Sequence, residues 1–386
     1  MKRAVKFFYL ILFLLMACSG AENKQLKTET IISIDVTKAK EYNIYDVCDS
    51  IYMVPLNPAA IYAGNFAAER VLVADDYIFI VTDNYKQIDI FDKQGNKIDS
   101  INRIGRAPGE YIKVNAISYD KNKSELYVSS GVESKVVVYS IPNTQFLREE
   151  KYEQLVRASW NVGSKKALVT YKGDGTPDVL RMYGEDGAFD ELPAISISCD
   201  VIDEGFGAVY GDNVLSYVDQ GIYPTIYSVA NDTIARVCVV EFGDRAFDRD
   251  KYYNSTEADY VYQFKTLFET DAHAGLPVFP LVSDEYISFM YNKDKIGINY
   301  LQYAVYNRKS GESKTISDLK ISGVEQRLLP FTVYNDFYVA LVVPENYIIS
   351  DKSVLDPIGK MIYDEQLRVE KTTDVCTPFL LFYRLK

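Results

Sequence analysis

The chain has one histidine, His273, in the loop Asp271-Ala-His-Ala-Gly, and a lone imidazole cannot assemble a histidine-rich metal site. It can serve as a general base, but no Gly-x-Ser-x-Gly elbow supplies a nucleophile beside it, so His273 is expected to be a solvated loop residue. Walker loops and Gly-x-Gly-x-x-Gly turns are absent from the sequence, which removes the usual phosphate cradles. Gly173-Asp-Gly and Asp186-Gly are turn signals; calcium loops need far more regularly spaced oxygens. The 54 Asp and Glu residues offer many of the carboxylate pairs that glycoside chemistry uses, yet no spacing singles one out. Cys48, Cys199, Cys238 and Cys376 are widely spaced with no Cys-x-x-Cys, so a structural zinc site is not expected; their pairing is left open. No catalytic residue, metal or cofactor is assigned.

Two binding candidates are left. Thirty-two tyrosines stand against one tryptophan. Most tyrosines should pack strands, but a few at an open site can stack on sugars or peptides. Trp160 is the candidate aromatic platform, with core packing as the commoner role. The second candidate is Gly105-Arg106-Ala107-Pro108-Gly109-Glu110-Tyr111. Pro108 fixes φ and Gly109 accepts φ > 0, so Ala107 to Glu110 suits a type II turn. Arg106 and Glu110 flank that turn, placed either to pin backbone or, with Tyr111, to touch a ligand.

The N-terminus reads as an address. Lys2, Arg3 and Lys6 precede an unbroken apolar stretch from Phe7 to Met16, too short to span a bilayer and suited to a signal peptide. Leu15-Met16-Ala17-Cys18 resembles a bacterial lipobox, which would make Cys18 the lipid-bearing N-terminus. Acyl chains there would hold the protein by about 0.8 kcal/mol per buried methylene. Expected boundaries are therefore 1–17 signal peptide, 18–40 lipidated tether and 41–386 folded domain. The net charge of −12 repels phosphate backbones, so nucleic acid is not an expected partner. The membrane is expected to be met only through the anchor.

The elements that must position any site come from a repeat. β-rich runs end in an aromatic residue and a polar turn at Phe91, Tyr139, Tyr183, Tyr227, Tyr306 and Phe382; the first four ends are 48, 44 and 44 residues apart. That interval matches one four-stranded propeller blade. The last two, 79 and 76, fit a blade plus an insertion each. The expectation is an all-β, six-bladed propeller of four-stranded antiparallel blades. The strand-like runs Thr30 to Val36 and Ser50 to Leu56 belong to no complete blade. One or both should close the ring by pairing with the blade ending at Phe382. A mostly apolar stripe within 248–270 predicts a helix, and Pro344 to Asp374 a long excursion with a short helix near Pro357 to Glu365.

The junction Gly105 to Tyr111, with Gln87 to Gly95 before it and Ile117 to Val128 after it, resembles NHL-type propeller repeats. More closely it is similar to the six-bladed propeller lipoproteins of Bacteroidetes, whose usual junction is GRGPGEY; here Ala107 replaces a glycine. Pro378-Phe-Leu-Leu-Phe-Tyr-Arg-Leu-Lys resembles that family's closing strand. The resemblance implies a six-bladed propeller on a lipid anchor and lends no catalytic residue. Function is thus expected to be that of an envelope-anchored module, periplasm-facing or at the outer-membrane surface, that binds a glycan, peptide or protein partner. The alternatives are a propeller hydrolase or lyase acting on glycans, and a structural subunit of an envelope complex. Two or three carboxylates at the channel mouth would favour the enzyme; an aromatic shelf without them would favour binding.

Overall fold

Continuous apolar runs such as Ile78-Phe-Ile-Val have no polar face to turn toward water, so a strand carrying one must be covered on both sides. The computed structural model describes residues 30–57, 70–130, 133–171, 179–184, 189–191, 207–210, 214–219, 224–230, 233–247, 266, 268–270, 272–372 and 376–386. Cys18 and the address segment lie outside them. Three N-terminal strands come first: β1 (Ile31–Ser33), β2 (Lys40–Asn43) and β3 (Cys48–Pro55). Blade 1 comprises β4 (Arg70–Val73), β5 (Tyr77–Thr82), β6 (Gln87–Asp92) and β7 (Lys97–Ile101); blade 2 comprises β8 (Val114–Asp120), β9 (Glu125–Ser130), β10 (Lys135–Ser140) and β11 (Phe146–Lys151). Blade 3 comprises β12 (Leu155–Val162), β13 (Lys165–Tyr171), β14 (Val179–Tyr183) and β15 (Phe189–Glu191); blade 4 comprises β16 (Gly207–Tyr210), β17 (Val214–Asp219), β18 (Thr225–Ala230) and β19 (Thr233–Glu241). Blade 5 comprises β20 (Ala274–Val282), β21 (Tyr286–Lys293), β22 (Leu301–Asn307) and β23 (Ser313–Lys320). In blade 6, β24 (Thr332–Tyr334), β25 (Phe337–Val342) and β26 (Phe379–Leu385) are completed by β3. All six aromatic ends read from the repeat fall in the third strand of a blade.

Side-chain alternation with period two sends each middle strand's apolar residues to two different neighbours. In β5, Phe79 and Val81 join a cluster shared with blade 2, whereas Ile78 and Ile80 join one shared with blade 6. In β26, Leu381 and Tyr383 face blade 5 while Leu380 and Phe382 face blade 1. Each of the six neighbouring pairs of blades shares such a cluster, so the ring is closed.

Closure is by β3, which runs antiparallel to β26 from Phe379↔Pro55 to Leu385↔Cys48. The other N-terminal run behaves differently from a closing strand. β1 pairs in parallel with β19 on the outer edge of blade 4, and β2 pairs in parallel with β23 on that of blade 5. Both lie within the segment 18–40 or at its end, where a tether was expected. Residues 31–55 thus run along three successive blades through β1, β2 and β3, and pairing satisfies edge amides that are otherwise exposed.

The helix in the second excursion is longer than its sequence suggests, spanning Pro357–Thr372. Asp356 caps it, accepting from Gly359 N at 2.8 Å with one oxygen and from Ser322 N at 2.7 Å with the other. Ile358 and Ile362 then sink into the cluster between blades 5 and 6. Of the helical insertion expected at 248–270, the described residues are 266 and 268–270, all helical; the rest of that expectation lies outside them. No helix among the described residues is long and apolar enough to cross a membrane.

The closing packing is testable at Phe382, which is buried and stacked on Tyr52 at 4.4 Å. Phe382→Ala should cost about 3–5 kcal/mol, read from urea unfolding. A loss below about 1 kcal/mol would mean that closure does not rest on this contact.

Candidate functional site

The inner strands β4, β8, β12, β16, β20 and β24 surround the propeller axis, and at the end toward which they run they form a cup of about 120 Å³. Val71, Ile117, Val209, Phe279 and Val333 supply its apolar wall, one from each of five inner strands. The sixth, β12, contributes Trp160, half-buried and packed against the cluster between blades 3 and 4. Tyr119 and Tyr334 share the rim. The Tyr119 ring is braced by Tyr77 at 5.7 Å and Phe79 at 5.3 Å, so the rim aromatics are held rather than free to collapse.

Polar groups reach the same rim from the turns that follow the inner strands. Lys121 Nζ donates to Asp75 at 2.7 Å and Tyr334 Oη donates to its other carboxylate oxygen at 2.6 Å. Three residues from blades 2, 1 and 6 are thereby joined. The Lys121 hydrogen bond, then that of Tyr334, holds the Asp75 carboxyl below its ordinary range. Burial first, and then the Asp75 carboxylate, pushes the Tyr334 phenol up. Ser159 Oγ donates to Ser118 Oγ at 2.7 Å. Asn161 Nδ2 is buried with no acceptor among the described residues. An unpaired buried donor costs about 1–3 kcal/mol, a cost that selection for stability alone would remove.

The structure separates the two candidates read from sequence. Trp160 lies at the mouth, near the end of β12. Arg106, Glu110 and Tyr111 lie in the link from β7 to β8, ahead of the start of β8, and form no site with it. There the type II turn is present: Glu110 N donates to Ala107 O at 2.9 Å, with Gly109 at φ +79°. Glu110 pins that turn by accepting from Ala107 N at 2.9 Å. Tyr111 is fully buried and its one hydroxyl proton is shared between Lys86 O at 2.8 Å and Ile101 O at 3.0 Å. Arg106 is exposed and makes no ion pair among the described residues. The motif is a wedge between blades 1 and 2, with Gly109 close against the Phe146 ring.

His273 is half-buried rather than solvated, with its ring 5.2 Å from that of Phe247 and 6.2 Å from that of Phe268. Those rings belong to an apolar cluster with Leu276 and Ile296, which draws the imidazole inward. No group of three or more metal-ligating side chains occurs among the described residues. Of the carboxylates, only Asp75 lines the cup among those residues, and it is already engaged. The sequence reading missed Asp75, Lys121, Tyr119 and Tyr334. The available signal was position in the repeat: Asp75 and Lys121 are 46 residues apart, one blade period, each in the turn after an inner strand.

Mutation should separate wedge from ligand contact. Tyr111→Phe should cost about 0.5–1.5 kcal/mol by removing the hydroxyl's hydrogen bond to backbone at the junction. Arg106→Ala should stay within about 0.5 kcal/mol of the parent. Both are read from denaturant midpoints, and the opposite order would overturn the assignment.

No curated protein matches the sequence. Among solved structures, a Bacteroides fragilis NCTC 9343 protein thought to be exported superposes with a TM-score of 0.63 at 15% identity, covering 92% of this chain and 100% of its own. A member of the duf4221 family from Bacteroides vulgatus ATCC 8482 gives 0.49 at 11% identity, over 88% and 97%. At 15% identity the first likeness extends to the fold alone. The model of a single family spans residues 29–361, and by that match the chain belongs to the family described as Domain of unknown function (DUF4934).

Proposed function

We propose that this protein is an exported, lipid-anchored binding module of the bacterial envelope whose channel mouth holds one residue of a glycan. The observation that carries this is the rim of Trp160, Tyr119 and Tyr334 around a cup with a single, already paired carboxylate among the described residues. Aromatic faces offer apolar area with polar edges, and Ser118, Ser159, Asn161 and Asn335 add hydroxyl and amide groups suited to a hydroxyl-rich ligand. At about 120 Å³ the cup is below the usual size of a small-molecule site, about 300–1,000 Å³. It therefore admits one group of a longer chain, the remainder lying across the rim. A peptide or protein partner offering one side chain is the other occupant such a rim accepts.

Glycoside hydrolysis uses two carboxylates flanking the bond, which speaks for binding over catalysis here. A scaffold role would be supported by a contiguous apolar patch on the outer strands. Among the described residues the exposed apolar side chains there, Ile31, Tyr52, Ile98, Leu147 and Ile234, are spread over four blades, and the two on blade 4 are separated along its edge, since Ile31 pairs opposite Val239; single ones are ordinary surface. Export and anchoring rest on the signal-like residues 1–17 and on Cys18, with the likeness to a protein thought to be exported in accord. No nucleic acid or cofactor enters this reading.

Trp160 is the only tryptophan, so its fluorescence reports on the mouth without labelling. Titration with neutral hexose oligomers, acetamido-sugar oligomers and short peptides should give a saturable emission shift with one glycan class. Thermal stabilisation should accompany it, about 2.7 kcal/mol at a hundredfold excess over Kd. Trp160→Ala should weaken that binding about tenfold or more. A peptide-only response would replace the ligand class, released sugar fragments would replace binding with catalysis, and binding unchanged in the variant would move the site elsewhere.

A further inference from the structure

A second recess lies between blades 2 and 3, away from the rim aromatics, with a volume of about 450 Å³. That is within the range of small-molecule sites, about 300–1,000 Å³. Among the described residues its lining is opposite in charge to the chain as a whole. Lys123, Arg148, Lys151, Lys165 and Lys166 line it, against the carboxylates of Asp120 and Glu150, in a protein of net charge −12. An acidic surface discourages anions generally, so a local excess of cations in a recess focuses whatever anion reaches it.

The floor is ordered before any ligand arrives. Arg148 donates to both oxygens of Glu125 at 2.8 Å and to Glu150 at 3.1 Å. Glu150 also accepts from Tyr152 Oη at 2.8 Å and from Lys166 Nζ. The Lys166 ammonium stands 4.0 Å from the centre of the Tyr127 ring. Burial pulls the Lys166 ammonium down from its ordinary range, with Glu150 opposing. An ammonium has three donors, one of which is committed to Glu150, and Lys166 lines the recess. Tyr152 and Tyr183 meet edge to face at 5.5 Å and form one wall, with Lys151 and Lys165 beside it. Cations set beside tyrosine rings suit a ligand that has both charge and a flat apolar face.

We propose that this recess binds a ring-shaped ligand carrying an oxyanion, of the class of sugars that bear a carboxylate or a sulfate. It is a site separate from the channel mouth, with which it shares Asn161 alone among the described residues. Arg148, Lys166 and Glu150 position the recess, and Lys151, exposed at the end of β11, meets the anion at its edge.

Isothermal titration of the purified protein with D-glucuronate, D-glucose 6-sulfate and D-glucose tests this directly. Both anionic sugars, or one of them, should bind saturably at millimolar concentration, at least about tenfold more tightly than glucose, and more weakly as salt is raised. Which of the two binds distinguishes carboxylate from sulfate. Lys151→Glu, on the exposed end of β11 and expected to fold normally, should reduce affinity about tenfold. Lys166→Met should do the same, with circular dichroism confirming the fold. Trp160→Ala should leave this binding unchanged, so that failure at the mouth and failure here are told apart. Equal binding of glucose and glucuronate, no saturable binding of either anion, or wild-type affinity in Lys151→Glu would each overturn the proposal.

Discussion

Two-sided burial is the constraint on which this structure depends. Strands β5, β25 and β26 are apolar on both faces, so no blade is stable alone in water and each must be sandwiched between two others. A row of such sheets has two unsatisfied ends, and closing the row is the arrangement that covers both. The last blade supplies only three strands from the C-terminal part of the chain, and β3 provides the fourth. The same ladder therefore joins the two ends of the domain and completes its last interface. Burial of Phe382 against Tyr52 and blade 1, and of Tyr383 through a 2.8 Å hydrogen bond to Tyr303 of blade 5, ties that blade to both neighbours.

The site follows from the ring. Six inner strands converge on one axis, so the turns at their ends bring side chains from distant parts of the chain to a common rim. Apolar packing between blades holds the backbone there, which lets polar groups be arranged for recognition rather than for stability. The Asp75 carboxylate, shared between Lys121 and Tyr334, stitches three blades at the rim. Asn161, whose Nδ2 has no acceptor among the described residues, borders both the mouth and the recess between blades 2 and 3. At the other end of the inner strands, the junction Gly105 to Tyr111 makes tight, saturated contacts, as a wedge should.

Much of the fold was legible because a propeller writes itself locally. Each blade is four short strands with turns between them, and Phe91, Tyr139, Tyr183, Tyr227, Tyr306 and Phe382 mark the third strand by type and spacing. The turn at Pro108-Gly109 was equally legible, since its conformation depends on those two residues alone. The strands β1 and β2 were less so: three or four residues paired in parallel to an outer edge leave almost no periodic signature. The length of the helix Pro357–Thr372 depends on the Asp356 cap and on a hydrophobic seat in blades 5 and 6, neither visible as a local pattern. Within the junction, the sequence could not assign separate roles to Arg106 and Glu110. The difference came from geometry, since only the Glu110 carboxylate reaches back to the Ala107 amide.

By itself the sequence determined the repeat, the number of blades and the candidacy of Trp160, because these are set by side-chain type at short range along the chain. Only the tertiary structure decided which residues meet. Asp75 finds Lys121 at a separation of 46 positions and Tyr334 at 259, and Lys166 finds Glu150 across a blade interface. Such pairs have no shared local pattern. They are neighbours because ring closure rotates successive blades about one axis, and that rotation is a property of packed sheets, not of any stretch of residues.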